Sequence, residues 1–299
     1  MAEPMANDPK ATESAEPTKP TKRGIPDSVI TLGLQVGSLL LFLLLWQAMV
    51  SFGILNSLLF PSPLSVIGQL FEDLLDMMTG GPTLGHFTTT LSEIVIGFGA
   101  AAVGAIALGA LLSEFATFRR AMYPYVIALS ATPRIAFAPL FIIWFGFGLM
   151  SKVVLVATIA AFPILVNTMA GIGAVDVLEL KMMRSLGATR WQIFWKLRVP
   201  TSLPYVFAGL ESGIIFAAVG AVVAEFTSGN SGLGYLTLVG QEVHNLPLAF
   251  SAIVLLAAQG LLLHRTIVLI RRRVVFWRPD GSQLESTGGR SMSTALEKM

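Results

Sequence analysis

Six long apolar runs constrain this chain of 299 residues more than any other feature. A helix rises 1.5 Å per residue, so about 20 apolar residues cross the hydrocarbon core of a bilayer. Only 13% of the residues are charged, against about a quarter in soluble domains. The sequence therefore predicts an all-α membrane protein with six transmembrane helices. The predicted spans are Val29–Phe52, Thr88–Leu112, Met122–Phe145, Lys152–Ile172, Pro204–Glu225 and Leu248–Ile270.

Lysine and arginine fall almost entirely on one side of these six spans. They lie in the N-terminal stretch, the turn after the second span, the loop 181–198 and the region after the sixth span, whereas the other side receives only Lys152. The positive-inside rule then predicts that both termini and the basic loop are cytoplasmic. Residues 1–27 and 279–299 are poor in apolar side chains and are predicted to be disordered cytoplasmic tails around a six-span domain, 28–278.

Two shorter segments lie on the opposite side. Pro61–Met78 has apolar residues at helical spacing and three acids, which predicts either an amphipathic helix on the outer membrane surface or a simple loop helix. The Gly-rich stretch Thr227–Pro247 is too short to cross and is predicted to be a re-entrant or surface segment.

Small residues spaced four apart mark two of the spans. Such ladders allow close backbone approach in lipid, so these spans should lie inside one subunit or, as the alternative, at a subunit interface. The two ladders are Gly97, Ala101, Ala105 and Gly109, and Gly209, Gly213, Ala217 and Ala221.

The loop between the fourth and fifth spans, which we call the basic segment (residues 176–200), carries five basic residues and no acidic one from Lys181 onward. Gly187 is placed to end a first short helix as a left-handed cap. Thr189, with a glutamine three residues later, forms the pattern of a capping box that starts a second helix. Pro200 should end that helix, because proline disfavours the α conformation in the residue before it.

Trp191, Phe194 and Trp195 share one face of this second helix. On composition alone, they could be interfacial tryptophans in an ordinary positive-inside loop. The spacing points elsewhere: nine residues separate Gly187 from Leu197, and Pro200 comes three residues later. This spacing resembles the EAA loop of permease subunits of ATP-binding-cassette (ABC) importers. The acid of that pattern is replaced by Lys181, and its two alanines by methionines.

Four other stretches are similar to the nitrate/sulfonate/taurine-type branch of the same permeases. They are LFPSPLSV at 59–66, PRIAFAPLFIIWFGFGLMSK at 133–152, FPILVNTMAGI at 162–172 and SGLGYL at 231–236. The resemblance implies a type I ABC importer permease fold with a cytoplasmic EAA-type coupling helix. It also implies a bacterial inner-membrane location, and transport of a small solute, such as the anions sulfonate, taurine or nitrate.

The resemblance further implies that the basic segment docks on cytoplasmic ATPase subunits. The expected docking residues are Lys181, Gly187, Thr189, Trp191, Phe194, Trp195, Leu197 and Pro200. An extracytoplasmic solute-binding protein and a second permease copy, in a homodimer, are the other expected partners. The chain has no G-x-x-x-x-G-K-[ST] motif, so ATP and magnesium would be used by the partner and no cofactor is expected here.

Ionisable or polar residues within spans are candidates for the transport pathway. Arg134, between two prolines, could attract an anionic substrate or pair with Glu93, Glu211 or Glu225; we weight the pair higher. Glu225 extends a small-residue ladder and should face protein, as a gate or, preferably, in a buried pair. Asn167 could form a helix–helix hydrogen bond. The chain has no cysteine and its three histidines are far apart, so neither a metal site nor a catalytic residue is assigned.

Two other functional classes remain as alternatives. An ion-coupled secondary transporter would need acidic residues at mid-span and inverted repeats, whereas Glu93 and Glu225 lie near span ends. A membrane-embedded enzyme would need a nucleophile with its base, or a ligand cluster, and neither pattern occurs. No nucleic-acid partner is expected. Co-purification of an ATPase would separate the permease from both alternatives.

Overall fold

The computed structural model describes residues 27–56 and 59–277, and every regular element among them is helical. The predicted tails, 1–27 and 279–299, lie outside these ranges except for Asp27, where the first helix begins. The helices are α1 (Asp27–Ser51), α2 (Pro63–Met78), α3 (Pro82–Glu114), α4 (Ala116–Ala131), α5 (Ala138–Phe145), α6 (Leu149–Gly173), α7 (Val177–Ser185), α8 (Arg190–Ile193), α9 (Val199–Ser228), α10 (Leu233–Glu242) and α11 (Leu246–Val274).

Five stretches of the described chain are long and apolar enough to cross a membrane: Gly33–Ser51, Pro82–Glu114, Leu149–Gly173, Arg190–Ser228 and Leu246–Val274. They correspond to five of the six predicted spans, and most are longer than predicted.

The third predicted span, Met122–Phe145, is interrupted rather than continuous. Its first part belongs to α4, which ends at Ala131, and a 3₁₀ turn at Arg134–Phe137 leads into α5. Thr132 is extended, with ψ of 130°, as expected for a residue that precedes proline. Proline at position 133 thus accounts for the interruption.

Of the described residues, 27–48 form one unit, and 49–56 with 59–277 form a second, which contains the core. In the second unit α3, α6 and α9 pack together around buried Ile94, Val156, Ile164 and Ile214. The contacts of the glycines give the helix directions. Gly97 faces Val153 and Val156 while Gly109 faces Leu165 and Thr168, so α3 and α6 run parallel.

Helix α9 runs antiparallel to α6, because Gly209 faces Ile164 whereas Gly220, further along, faces Val156. A Cβ atom at Gly97 would lie 2.5 Å from a methyl carbon of Val156, so the backbone approach requires glycine there. Both small-residue ladders are buried within the chain, which confirms that they serve core packing.

The two shorter segments are helical and partly buried. Helix α2 packs on α3 and α11, and the Asp73 carboxylate, 4% exposed, accepts a hydrogen bond from the Ser251 hydroxyl of α11. Helix α10 buries Leu233 and brings Gly240 against Ala249 of α11. Because α10 packs among α3, α9 and α11, the segment is an integral part of the bundle.

Candidate functional site

The basic segment begins with α7, which ends in the left-handed cap that the sequence predicted. Gly187 has φ of +75°, where a residue with a Cβ is strained. Its N–H donates to the Arg184 carbonyl at 3.0 Å, and the Ala188 N–H donates to the Met183 carbonyl at 3.0 Å. These two bonds form a Schellman motif, which ends a helix by satisfying its last carbonyls.

The predicted capping box is also present. The Gln192 N–H donates to the Thr189 hydroxyl at 3.3 Å, and the Thr189 N–H donates to the Gln192 side-chain oxygen at 2.8 Å. Two donors at the start of α8 are thereby satisfied reciprocally. Gly187 and Thr189 together hold α7 and α8 in a tight helix–turn–helix.

The predicted end of the second helix at Pro200 is wrong. Helix α8 continues through a π-helical turn, Phe194–Arg198, directly into α9, and Val199 has helical φ and ψ of −61° and −53°. In the π turn the Val199 N–H donates to the Phe194 carbonyl, five residues back. Pro200 is the second residue of α9 and follows the π turn directly.

The three aromatic residues of the basic segment form a cluster on its surface. The Trp195 ring centroid lies 5.4 Å from those of both Trp191 and Phe194. Trp191 is 69% exposed and Trp195 51%. The predicted face therefore exists, and within this chain it remains largely uncovered.

Helix α7 carries a second set of exposed apolar residues that the sequence analysis missed. Leu178, Met182 and Leu186 are all exposed, and Lys181 lies exposed on the same short helix. The signal was available, because these three apolar residues have an i, i+4, i+8 spacing. Contiguous exposed apolar surface is typical of interaction sites in soluble parts of proteins.

A salt bridge ties the basic segment to the end of α3. Arg198, in the π turn, lies 2.5 Å from the Glu114 carboxylate, and both side chains are partly exposed. Leu197, beside it, is half-buried. An ionic contact thus joins the segment to the end of α3, in addition to its continuous helical connection to α9.

The opposite end of the bundle holds a buried ionic cluster that the sequence analysis did not find. The Lys152 ammonium lies 2.8 Å from the Glu93 carboxylate and also donates to the Ser231 carbonyl at 3.0 Å. The Thr90 hydroxyl donates to Glu225 at 2.6 Å. The sequence analysis had counted Lys152 among the charges outside the membrane, because this residue is the first of the fourth predicted span.

This cluster anchors the turn that precedes α10. The Leu233 N–H donates to the Thr90 hydroxyl at 2.8 Å, and the Gly234 N–H donates to Glu225. Gly232 has φ of +114°, and a Cβ there would collide with the Glu225 carboxylate. Glu225 therefore faces protein, as predicted, and its partners are a hydroxyl and a backbone amide.

The expected ion pair of Arg134 is absent among the described residues. Glu93 pairs with Lys152, and Glu211 lies 3.1 Å from Arg271. The Arg134 guanidinium instead lies over the Phe162 ring, 4.6 Å from its centroid. The preferred pairing hypothesis is wrong because each candidate carboxylate is occupied by another partner.

Asn167 does not make the predicted helix–helix hydrogen bond. Its side-chain amide donates to the Pro163 carbonyl of its own helix at 2.8 Å. Its Cβ lies against α9, 2.9 Å from the position of a Cβ on Gly209. Asn167 thus contacts the neighbouring helix by packing.

Among residues 27–56 and 59–277, no three His, Asp or Glu side chains are grouped so that they could hold a metal ion.

Comparisons with known proteins agree with this architecture. A family model described as "Binding-protein-dependent transport system inner membrane component" matches residues 82–276. The chain is 37% identical to the riboflavin transport system permease protein RibX of Chloroflexus aurantiacus, over 82% of this chain and 90% of that protein. It is 31% identical to the formylaminopyrimidine transport permease protein ThiX of Halalkalibacterium halodurans, over 74% and 86%.

A third relative is a putative aliphatic sulfonates transport permease protein, SsuC, of Bacillus subtilis, which is 30% identical over 78% of this chain and 83% of its own length. Among solved structures, an inward-facing form of the MetNI methionine ABC transporter matches with a TM-score of 0.58 at 21% identity. The match covers 66% of this chain and 97% of that one.

Proposed function

The chain belongs to the family of binding-protein-dependent transport system inner membrane components. From this premise, we propose how the chain couples to its ATPase and which solute it transports. As a member of this family it is the permease subunit of an ABC importer, a multi-pass inner-membrane protein. It is a transport component rather than an enzyme, and the ATPase is a separate subunit.

The proposed coupling element is the basic segment, docked on the ATPase through its exposed apolar surface. The carrying observation is that Trp191 and Trp195 are largely exposed on a helix–turn–helix whose geometry is fixed on both sides of Gly187. Aromatic anchors that become buried dominate the energy of many interfaces. Leu178 and Met182 of α7 are further exposed apolar side chains of the basic segment, and Lys181 adds a charge that suits an acidic partner.

The proposed solute is a small anion such as a sulfonate, taurine or nitrate. Arg134 supports an anionic solute, because this half-buried cation lies in an interrupted helix and has no carboxylate partner among the described residues. Non-helical backbone at membrane depth is tolerated where it lines a cavity or is buried in protein. The relative named for aliphatic sulfonates supports the same class.

A nitrogen heterocycle is the second candidate solute. The relatives named for riboflavin and formylaminopyrimidine transport are 37% and 31% identical to this chain. In this case the Phe162 ring beneath Arg134 would contact the solute. The two candidates differ in whether a positive charge at Arg134 is needed for uptake.

We also propose that a second copy of this chain completes the pathway and that an extracytoplasmic binding protein delivers the solute. Both termini would be cytoplasmic, in line with the Lys and Arg distribution. The last turn of α11 carries Arg271, Arg272 and Arg273, and such residues favour the cytoplasmic side.

The experiment is uptake into proteoliposomes that hold the permease, the ATPase and the binding protein encoded with them. Labelled taurine, nitrate, riboflavin and formylaminopyrimidine are compared with and without ATP inside. ATP-dependent uptake that survives collapse of the ion gradients is expected. Uptake that needs an ion gradient but no ATP would instead establish an ion-coupled transporter.

A further inference from the structure

Two adjoining cavities lie beside the basic segment, where it meets the end of α3. The first has a volume of about 390 Å³ and is lined by Ala107, Ala110, Leu111, Phe115, Trp191 and Phe194. The second has a volume of about 680 Å³, and its wall includes Thr117, Leu180, Arg184, Arg190 and Arg198. Glu114, Phe115 and Arg190 line both, so the two cavities form one trough that is apolar at one end and cationic at the other.

The cationic end has more positive than negative charge. Glu114 is the single acid in its wall, and it is held by Arg198 at 2.5 Å. No carboxylate of the described residues pairs with Arg184 or Arg190, and both side chains are exposed. Two unpaired guanidinium groups that share a cavity favour an anion, and their planar donors match phosphate oxygens.

The apolar end lies along a helix that spans the membrane. Ala107, Ala110 and Leu111 belong to the last turns of α3, within the stretch Pro82–Glu114 that is long enough to cross. We infer that this apolar surface faces the hydrocarbon side of the trough. An occupant of the whole trough must be apolar at the membrane side and anionic where α3 ends.

We propose that this trough is a binding site for an anionic phospholipid. The phosphate would lie between Arg184 and Arg190, and an acyl chain would run along α3 past Ala110 to Ala107. Basic pockets beside transmembrane helices bind such headgroups on the cytoplasmic side. The trough shares Trp191 and Phe194 with the proposed docking surface, whereas the exposed Leu178 and Met182 of α7 line neither cavity.

The test measures lipid binding to the full-length chain in detergent micelles. Phosphatidylglycerol is compared with phosphatidylcholine of the same chain length, and with glycerol phosphate, which has the headgroup but no acyl chain. We expect phosphatidylglycerol to bind most tightly. Arg184→Gln with Arg190→Gln should weaken it by about fivefold per arginine, and roughly 25-fold together.

Two further variants separate this site from general electrostatics. Arg272→Gln with Arg273→Gln removes the same charge from exposed positions in α11 and should leave binding unchanged. Ala107→Phe should fill the apolar end and weaken phosphatidylglycerol binding without affecting glycerol phosphate.

Four results would overturn the proposal. One is equal binding of both phospholipids, and another is an equal loss in the α11 control. The third is glycerol phosphate binding as tightly as phosphatidylglycerol, since the trough would then hold a free anion. The fourth is loss of phosphatidylglycerol binding when the measurement is repeated on the assembled complex with its ATPase, since a protein subunit would then fill the trough.

Discussion

The Lys152 ammonium lies 2.8 Å from the Glu93 carboxylate, and the two side chains are only 4% and 1% exposed. One ion pair thus joins α6 to α3 inside the bundle. Removing one partner of such a pair leaves a buried charge without compensation, which costs about 3–5 kcal/mol. Lys152 also holds the Ser231 carbonyl, so the same residue fixes the turn before α10.

Lys152→Met should therefore lower the free energy of unfolding by about 3–5 kcal/mol and reduce the amount of assembled complex. The double variant Lys152→Met with Glu93→Leu should recover much of that loss, because no unpaired charge remains. Thermal unfolding in detergent measures both. Arg271→Met, which breaks a more exposed pair with Glu211, is the matched control and should cost less. A single Lys152 variant as stable as wild type would contradict the buried pair.

Arg134→Gln should reduce transport of an anionic solute while the assembled complex forms normally. Assembly is not expected to depend on an Arg134 ion pair, because the Arg134 guanidinium lies over the Phe162 ring instead of beside a carboxylate. A cation over a ring contributes about 0.5–2 kcal/mol, too little to control assembly. Uptake and complex yield are measured together, with Arg134→Lys to test retention of the charge. Collapse of the complex in the glutamine variant would give Arg134 a structural role.

Cysteine labelling in whole cells tests the orientation. The chain has no native cysteine, and four exposed positions lie at the two ends of the bundle. Cysteines at Met78 or Asn230 should react with an impermeant reagent from outside, whereas cysteines at Thr117 or Ser185 should react only after permeabilisation. The reverse pattern would place the basic segment outside the cell.

Asp76 stabilises the turn between α2 and α3 in a pH-dependent way. Its carboxylate accepts a hydrogen bond from the Thr83 N–H at 2.8 Å, and the hydrogen bonds from Thr83 lower the pKa of Asp76. A lowered pKa in the folded state means that the stabilisation is fully present above the ordinary aspartate pKa of about 4. It is lost as pH falls through the lowered value.

The melting temperature of Asp76→Asn should accordingly lie below that of wild type at neutral pH, and the difference should shrink as pH falls below about 4. Glu72→Gln, in the same helix, is the control and should show no such convergence. A difference between wild type and Asp76→Asn that stays constant down to the acid limit would contradict the role of this carboxylate.

Local and periodic signals in the sequence predicted much of the fold. Apolar length located five of the six predicted spans, four-residue spacing located the buried small residues, and turn chemistry located the cap at Gly187 and the capping box at Thr189. Contacts between distant residues could not be predicted in this way. Lys152 and Glu93 are 59 positions apart, and their pairing depends on the parallel packing of α3 and α6.

The prediction that the second helix of the basic segment ends at Pro200 was wrong for a different reason. The rule that proline ends a helix assumes regular i to i−4 hydrogen bonding. The π-helical turn at Phe194–Arg198 shifts that pattern by one residue and lets the helix continue. Nothing in the local sequence signals this turn. Arg134 was assigned to the wrong partner because charge complementarity alone does not state which carboxylate is already occupied.

The most direct test of the proposed coupling is the effect of Gly187 on ATP hydrolysis. Gly187→Val forces a β-branched residue to φ of +75°, which is strongly disfavoured. The junction between α7 and α8 should then rotate or melt, and Trp191, Phe194 and Trp195 should lose their positions relative to α7. Gly173→Ala, at a helical glycine with open space around it, is the matched control.

The measurement combines pull-down of the ATPase with solute-stimulated ATP hydrolysis in proteoliposomes that contain the binding protein. We predict that Gly187→Val inserts normally but loses either stable ATPase binding or the stimulation of hydrolysis, while Gly173→Ala retains both. Wild-type binding, hydrolysis and uptake in Gly187→Val would contradict the proposed coupling and leave the basic segment an ordinary positive-inside loop.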